Sequence, residues 1–146
     1  MSRFLFVVPP LTGHTNSVMS VTCGSLAGRP VAITGGYDRT VRIWDLISHQ
    51  ETGRPLVHKS AVMSVAFGMR GNEPTVLTSG ADRAVRVWDL TTGAEMGDPL
   101  TAGPSLAGPA VPIAFGELAG DPIAITCNED LAIRLWSLGT SPSGSG

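Results

Sequence analysis

DRTVRIWDL at residues 38–46 returns as DRAVRVWDL at residues 82–90, and a third version, EDLAIRLWSL, occupies residues 129–138. Trp44 and Trp88 are 44 residues apart, and Trp88 and Trp136 are 48 apart. A fixed period in the forties marks a repeat architecture, in which each unit buries its apolar surface against its neighbours.

The register extends well beyond the tryptophans. From His14/His58 onward the first two repeats superpose without a gap, pairing Val18/Val62, Met19/Met63, Gly24/Gly68, Pro30/Pro74, Thr34/Thr78, Asp38/Asp82, Arg42/Arg86 and Gly53/Gly97. The third keeps Pro122, Thr126, Asp130, Arg134 and Trp136 but carries about four extra residues earlier, in TAGPSLAGPA. The repeats therefore run over about 3–46, 47–90 and 91–138, with a flexible, linker-like tail at 139–146.

Each unit reads as four short strands. Residues 18–23, 62–67 and 111–115 are apolar runs. A second strand at 31–34, 75–78 and 123–126 follows a Gly-Arg-Pro, Asn-Glu-Pro or Gly-Asp-Pro turn, and a third at 41–45, 85–89 and 132–136 is β-branched. A fourth strand is expected at 50–57 and 94–101, and residues 3–11 hold the same place in the repeat. No apolar period of 3.6 residues is present, so the expected class is all-β.

Composition narrows the function. The chain has 146 residues, 42% hydrophobic and 15% charged, and a net charge of −2, which leaves no electrostatic footprint for nucleic acid or an anionic membrane. No apolar run reaches the length of a membrane span. The opening MSRFLFVVPPL resembles a short secretory signal, but Pro9 and Pro10 end the run and no cleavage site follows. Two cysteines, Cys23 and Cys127, are too few for a disulfide framework and are expected as buried free thiols in a reducing, cytoplasmic setting. There is no metal-ligand cluster, Walker-type loop or GxGxxG loop, so neither cofactor nor metal is expected.

Gly13-His14, Asp38 and Trp44-Asp45, together with His58, Asp82 and Trp88-Asp89, resemble the WD40 repeat of the Gly-, Ala-, Arg- and Pro-rich bacterial type. The resemblance covers about residues 3–138 and implies one four-stranded propeller blade per repeat. A kelch-type propeller shares the Gly35-Gly36 doublet, but that doublet occurs in one repeat only.

His14, Thr34, Asp38 and Trp44, with His58, Thr78, Asp82 and Trp88, invite a nucleophile-base-orienter reading. The WD40 resemblance implies instead a structural tetrad, in which Asp accepts from His and the hydroxyl bridges to the Trp N–H. Recurrence favours the staple, because an active site need not repeat in every blade. In repeat three Thr126, Asp130 and Trp136 remain, no His follows residue 58, and Ser137 replaces the second Asp. Arg42, Arg86 and Arg134 are expected between blades, their heads paired with an acid such as Asp45 or Asp89. Met19, Met63, Val21, Val65 and Ile113 read as core.

Propellers usually close with four to eight blades. Three blades leave two apolar faces and a strand edge open, which soluble chains avoid. The chain opens on an outer strand, 3–11, and closes on three strands, 111–136, wanting one. Exchange of that strand between copies is expected to give a cyclic homo-oligomer: a dimer of six blades, favoured over a trimer of nine. The alternative is a natural or engineered fragment of a longer propeller.

The resemblance implies a non-enzymatic platform for proteins or peptides. Its expected surface is the rim carrying Asn16, Ser17, Tyr37, Arg39, Ser60, Ala81, Arg83 and Glu129, with Tyr37 and Arg39 of the types found at hot spots. Arg39 and Arg83 could equally fill a turn position. A purely self-assembling unit, indifferent to alanine at Tyr37 and Arg39, is a second reading. A small-ligand or glycan binder is a third, weakened by the single tyrosine.

Overall fold

The structure, a computed structural model, describes residues 8–100, 112–127 and 132–139. Among these the secondary structure is strand throughout, in three antiparallel sheets. The first sheet holds β1 (Val18–Leu26), β2 (Arg29–Gly36), β3 (Thr40–Asp45), β4 (Gln50–Glu51) and β5 (Leu56–Val57). The second holds β6 (Val62–Arg70), β7 (Glu73–Gly80), β8 (Val85–Asp89) and β9 (Ala94–Glu95). The third holds β10 (Ile113–Leu118), β11 (Asp121–Cys127) and β12 (Ile133–Ser137).

The first two strands of each sheet run longer than their apolar cores suggest. The expected Gly-Arg-Pro turn is displaced: Pro30 pairs with Ser25, and Arg29 with Leu26, inside the ladder. The reversal is made by Ala27-Gly28, both with positive φ (52° and 77°), and by Ala119-Gly120 (52° and 86°) in the third sheet. Two successive positive φ values define the hairpin turn whose twist matches the flanking strands. Proline is tolerated beside it because this end of the strand needs its carbonyl: Pro30, Pro74 and Pro122 each accept the N–H of Leu46, Leu90 or Leu138 at 3.0 Å.

The fourth strand is likewise broken. Gln50–Glu51 and Leu56–Val57 pair separately with β3, around Gly53 at φ 72° and Pro55. Ala94–Glu95 pairs with β8 and Leu100 bridges Val85, around Gly97 at φ 68° and Pro99. The glycine in the left-handed region and the proline without a donor interrupt the ladder at the same place in both repeats. Of the expected opening strand, residues 3–7 lie outside the described residues, and Val8 to Leu11 are not in a strand. The extra residues at 101–110 also lie outside them.

The sheets stack face to face through β1, β6 and β10. Alternation along each strand sends one set of side chains to each neighbour. Val31, Ile33, Val41, Ile43 and Leu56 of the first sheet pack with Val62, Val65, Val76 and Trp88 of the second. Leu77 and Val87 meet Ile113, Phe115, Ala124 and Trp136 across the next joint. Ile33 and Leu77 are fully buried, each burial stabilising by roughly 1.5–3 kcal/mol. Polar links cross both joints: Val65 N–H donates to Ser20 Oγ at 3.2 Å, and Arg70 Nε donates to the Leu138 carbonyl at 2.9 Å.

Three positions expected in the interior are exposed. Val21 is 64% exposed and Met19 40%, and Cys23 is also exposed. Val21 and Cys23 lie on the face of the first sheet opposite the second, which nothing covers among the described residues, and Met19 sits at the bulge between Val18 and Ser20. Cys127 is half-buried, and both thiols are free.

Candidate functional site

In the first sheet the polar set converges. The loop before β1 lays Gly13 on Trp44, so close that a Cβ on Gly13 would stand 2.9 Å from the indole. Only glycine permits that approach, and it delivers His14 between β2 and the β2–β3 turn. Trp44 Nε1–H, a donor only, gives its proton to Thr34 Oγ1 at 2.8 Å. The Thr34 hydroxyl then has its own proton for His14 Nε2 at 2.6 Å, which leaves His14 Nδ1 to donate to Asp38 Oδ2 at 2.8 Å. Asp38 also accepts the Thr15 and Thr40 backbone N–H groups at 3.1 Å and the Thr40 hydroxyl at 2.8 Å.

Burial alone would raise the Asp38 carboxyl pKa, but the bonds from Thr40, Thr15 and His14 overcome it and hold it at about 2. The His14 and Asp38 side chains are 6% and 3% exposed. A hydroxyl that already caps an indole, beside a buried imidazole and carboxylate, has no approach for a substrate carbonyl. The arrangement ties the loop before β1, β2, β3 and the intervening turn together.

The second sheet keeps only part of the set. Trp88 Nε1–H donates to Thr78 Oγ1 at 3.1 Å, and Thr78 meets His58 Nε2 at 2.9 Å. His58 Nδ1, however, turns to the Leu56 carbonyl at 3.2 Å rather than to Asp82. Asp82 instead takes the Arg86 guanidinium at 3.0 Å and the Ala84 N–H at 3.2 Å. The expected His58–Asp82 pairing is therefore absent, and the second repeat differs both in the loop before its His, with Val57 where the first has Gly13, and in the turn after its Asp. Thr40, whose hydroxyl fixes the Asp38 carboxylate, aligns with Ala84. Without that hydroxyl the carboxylate rotates outward to the nearest cation. Ala84→Thr is expected to draw Asp82 back and raise stability by about 1 kcal/mol, read as a higher urea midpoint.

In the third sheet Trp136 Nε1–H donates to Thr126 Oγ1 at 3.0 Å. Asp130 and Glu129 lie outside the described residues.

The arginines pair with other acids than expected. Arg42 binds Glu51 at 3.0 Å and Arg86 binds Glu95 at 3.0 Å. Asp45 pairs with Arg29, and Asp89 caps the Thr91 and Thr92 N–H groups. Residues three apart on a strand point to opposite faces, so Arg42 and Asp45 cannot meet. Glu51 and Glu95, like Thr40, are partners the sequence reading missed, although the two glutamates share the spacing of 44.

The expected binding rim is partly assembled. Tyr37 N–H donates to the Ser17 carbonyl at 2.9 Å, and the aligned Ala81 N–H to Ala61 at 3.1 Å. Asn16, Ser17, Tyr37, Arg39, Ala81 and Arg83 are exposed, and Ser60 is half-buried beside Gly80. Arg39 and Arg83 both have positive φ, 68° and 64°, and donate their N–H to Gly36 and Gly80. Both arginines therefore occupy a left-handed turn position while presenting their side chains on the rim.

Three antiparallel sheets stacked through β1, β6 and β10, each holding the same Trp-to-Thr hydrogen bond, define a repeat protein of the propeller-blade class. The family model described as WD domain, G-beta repeat, matches residues 6–45 and 52–89, more than half of the sequence, and the chain belongs to the WD40 family. WD40 repeats are protein-interaction scaffold repeats. A search of the curated proteins finds no match. Among the described residues no helix is long and apolar enough to cross a membrane.

Proposed function

We propose that this chain is a non-enzymatic, cytoplasmic WD40 scaffold of three blades, over about residues 3–46, 47–90 and 91–138, that joins further copies of itself into a closed ring and offers its rim to proteins or peptides. One observation carries the reading. Positions sealed between blades are open at both ends of the stack: Val65 is 6% exposed against 64% for the aligned Val21. At the other end Ile133 and Leu135 are 68% and 59% exposed, where Val85 and Val87 are 2% and 8%. Two apolar faces of this kind drive association, because covering them removes apolar area from water.

A dimer of six blades falls within the usual range of ring sizes, and a trimer of nine just outside it. Light scattering during size exclusion is expected to give about 30 kDa or about 45 kDa, two or three times the chain mass of 15.1 kDa. A mass of one chain at every concentration overturns self-assembly. Within the assembled ring, the exposed Tyr37 and Arg39 are the expected protein contacts. Alanine at both is expected to leave the mass unchanged while removing partner binding.

A further inference from the structure

The joints between blades share one contact. Phe67 of β6 lies over Gly24 of β1, where a Cβ would stand 2.6 Å from the ring. Phe115 of β10 lies over Gly68 of β6, where a Cβ would stand 1.9 Å from the ring. Each side chain is a knob and each glycine a socket with no room for even a methyl group. The sequence places them side by side: Cys23-Gly24, Phe67-Gly68 and Phe115-Gly116 occupy the same place in the three repeats. Neighbouring residues on a strand point to opposite faces. Every blade therefore offers a knob to one neighbour and a socket to the other.

Two knobs and two sockets are matched within the chain. Left over are Cys23, exposed on the first blade, and Gly116 on the third. A Cβ on Gly116 would touch only Ile125 and Ile123 of its own blade, at 3.4 Å and beyond. We infer that Cys23 of one copy seats on Gly116 of a second copy, in the register that Phe67 and Phe115 take within the chain. This rests on the self-assembly reading above and specifies its joint.

The surroundings agree. Val21 shares the knob's face of the first sheet, and Leu118, Ile133 and Leu135 share the socket's face of the third, all exposed. The two ends are complementary to each other and not to themselves, since knob on knob clashes and socket on socket leaves a void. The contact is therefore heterologous and head-to-tail, the arrangement that closes rings. A thiol fills the socket less completely than a phenyl ring, so the joint between copies forfeits contacts that the internal joints keep. It is the weakest joint of the ring, and its dissociation leaves each three-blade unit intact.

Sedimentation of the full chain over a concentration series tests this. Gly116→Phe fills the socket with the chain's own side chain and is expected to weaken association about 100-fold, with an unchanged far-ultraviolet circular dichroism spectrum. Cys23→Phe supplies the knob of the other two joints and is expected to tighten association about 10-fold. Gly116→Leu and Cys23→Leu repeat the comparison should either phenylalanine variant misfold. If the wild-type chain assembles and both substitutions leave its dissociation constant unchanged, the register is wrong while self-assembly stands. If the wild-type chain remains single at all concentrations, both are overturned.

Discussion

Gly68→Val is expected to destabilise the chain by about 3 kcal/mol, the upper end of what overpacking a joint costs. The new Cβ would lie within 1.9 Å of Phe115 Cδ1 and 2.3 Å of its Cγ. These are atoms at the root of a ring held between blades, not the end of a flexible side chain that can swing aside. The blades must separate, and the cluster of Ala66, Leu77, Val87 and Ala124 loosens with them. Adding Phe115→Ala removes the obstacle, so the double variant should be more stable than the two separate losses predict, by about 1–3 kcal/mol. The aligned Gly116→Val provides the contrast. Its Cβ meets nothing closer than 3.4 Å, and valine suits a strand, so the single chain should change by less than about 1 kcal/mol. Urea unfolding at concentrations where the chain is single reads all four variants. Equal losses at Gly68 and Gly116 would remove Phe115 from its place in the joint.

The period and its tryptophans make the blades legible in the sequence, because a 44-residue offset with no gap leaves few ways to fold two units of matching pattern differently. The sequence reading failed where a rule of average behaviour met a local exception. Proline on average marks a turn, yet Pro30 lies inside the ladder and Ala27-Gly28, with their positive φ values, form the reversal. Apolar type and strand-like context place Met19, Val21 and Cys23 in the core, but burial depends on a neighbouring blade as much as on residue type. The arginine partners were legible in principle. Strand alternation excludes Asp45 for Arg42, and Glu51 and Glu95 repeat at the period. The polar set was legible as a list but not as a geometry. His58, Thr78, Asp82 and Trp88 are all present, yet the imidazole turns to the Leu56 carbonyl and the acid to Arg86.

That asymmetry makes Asp38 and Asp82 unequal although each opens an Asp-Arg turn at the same place in its repeat. Asp38→Asn is expected to cost about 2–3 kcal/mol. The carboxylate accepts four bonds, including one from the His14 ring, and an amide must turn its NH2 group toward a donor. Asp82→Asn should cost less than about 1 kcal/mol, because it breaks an ion pair whose acid is 34% exposed. Acid separates the two blades further. The Asp38 pKa, held at about 2, lies below its ordinary 3.8, so the folded chain resists protonation. Its contribution is complete above about 3.8 and is lost as pH falls through 2. Burial, with Arg86 adding to it, lowers the His58 pKa below 6.5 against the opposing pull of the Leu56 carbonyl, Asp82 and Glu95. The unfolded chain then binds that proton first, so the His58 contribution is complete above 6.5 and declines as pH falls below it. Urea midpoints across the acid range should therefore fall in two stages. His58→Gln should flatten the first stage and Asp38→Asn the second. A second stage unchanged by Asp38→Asn would mean that another carboxylate carries the acid sensitivity of the first blade.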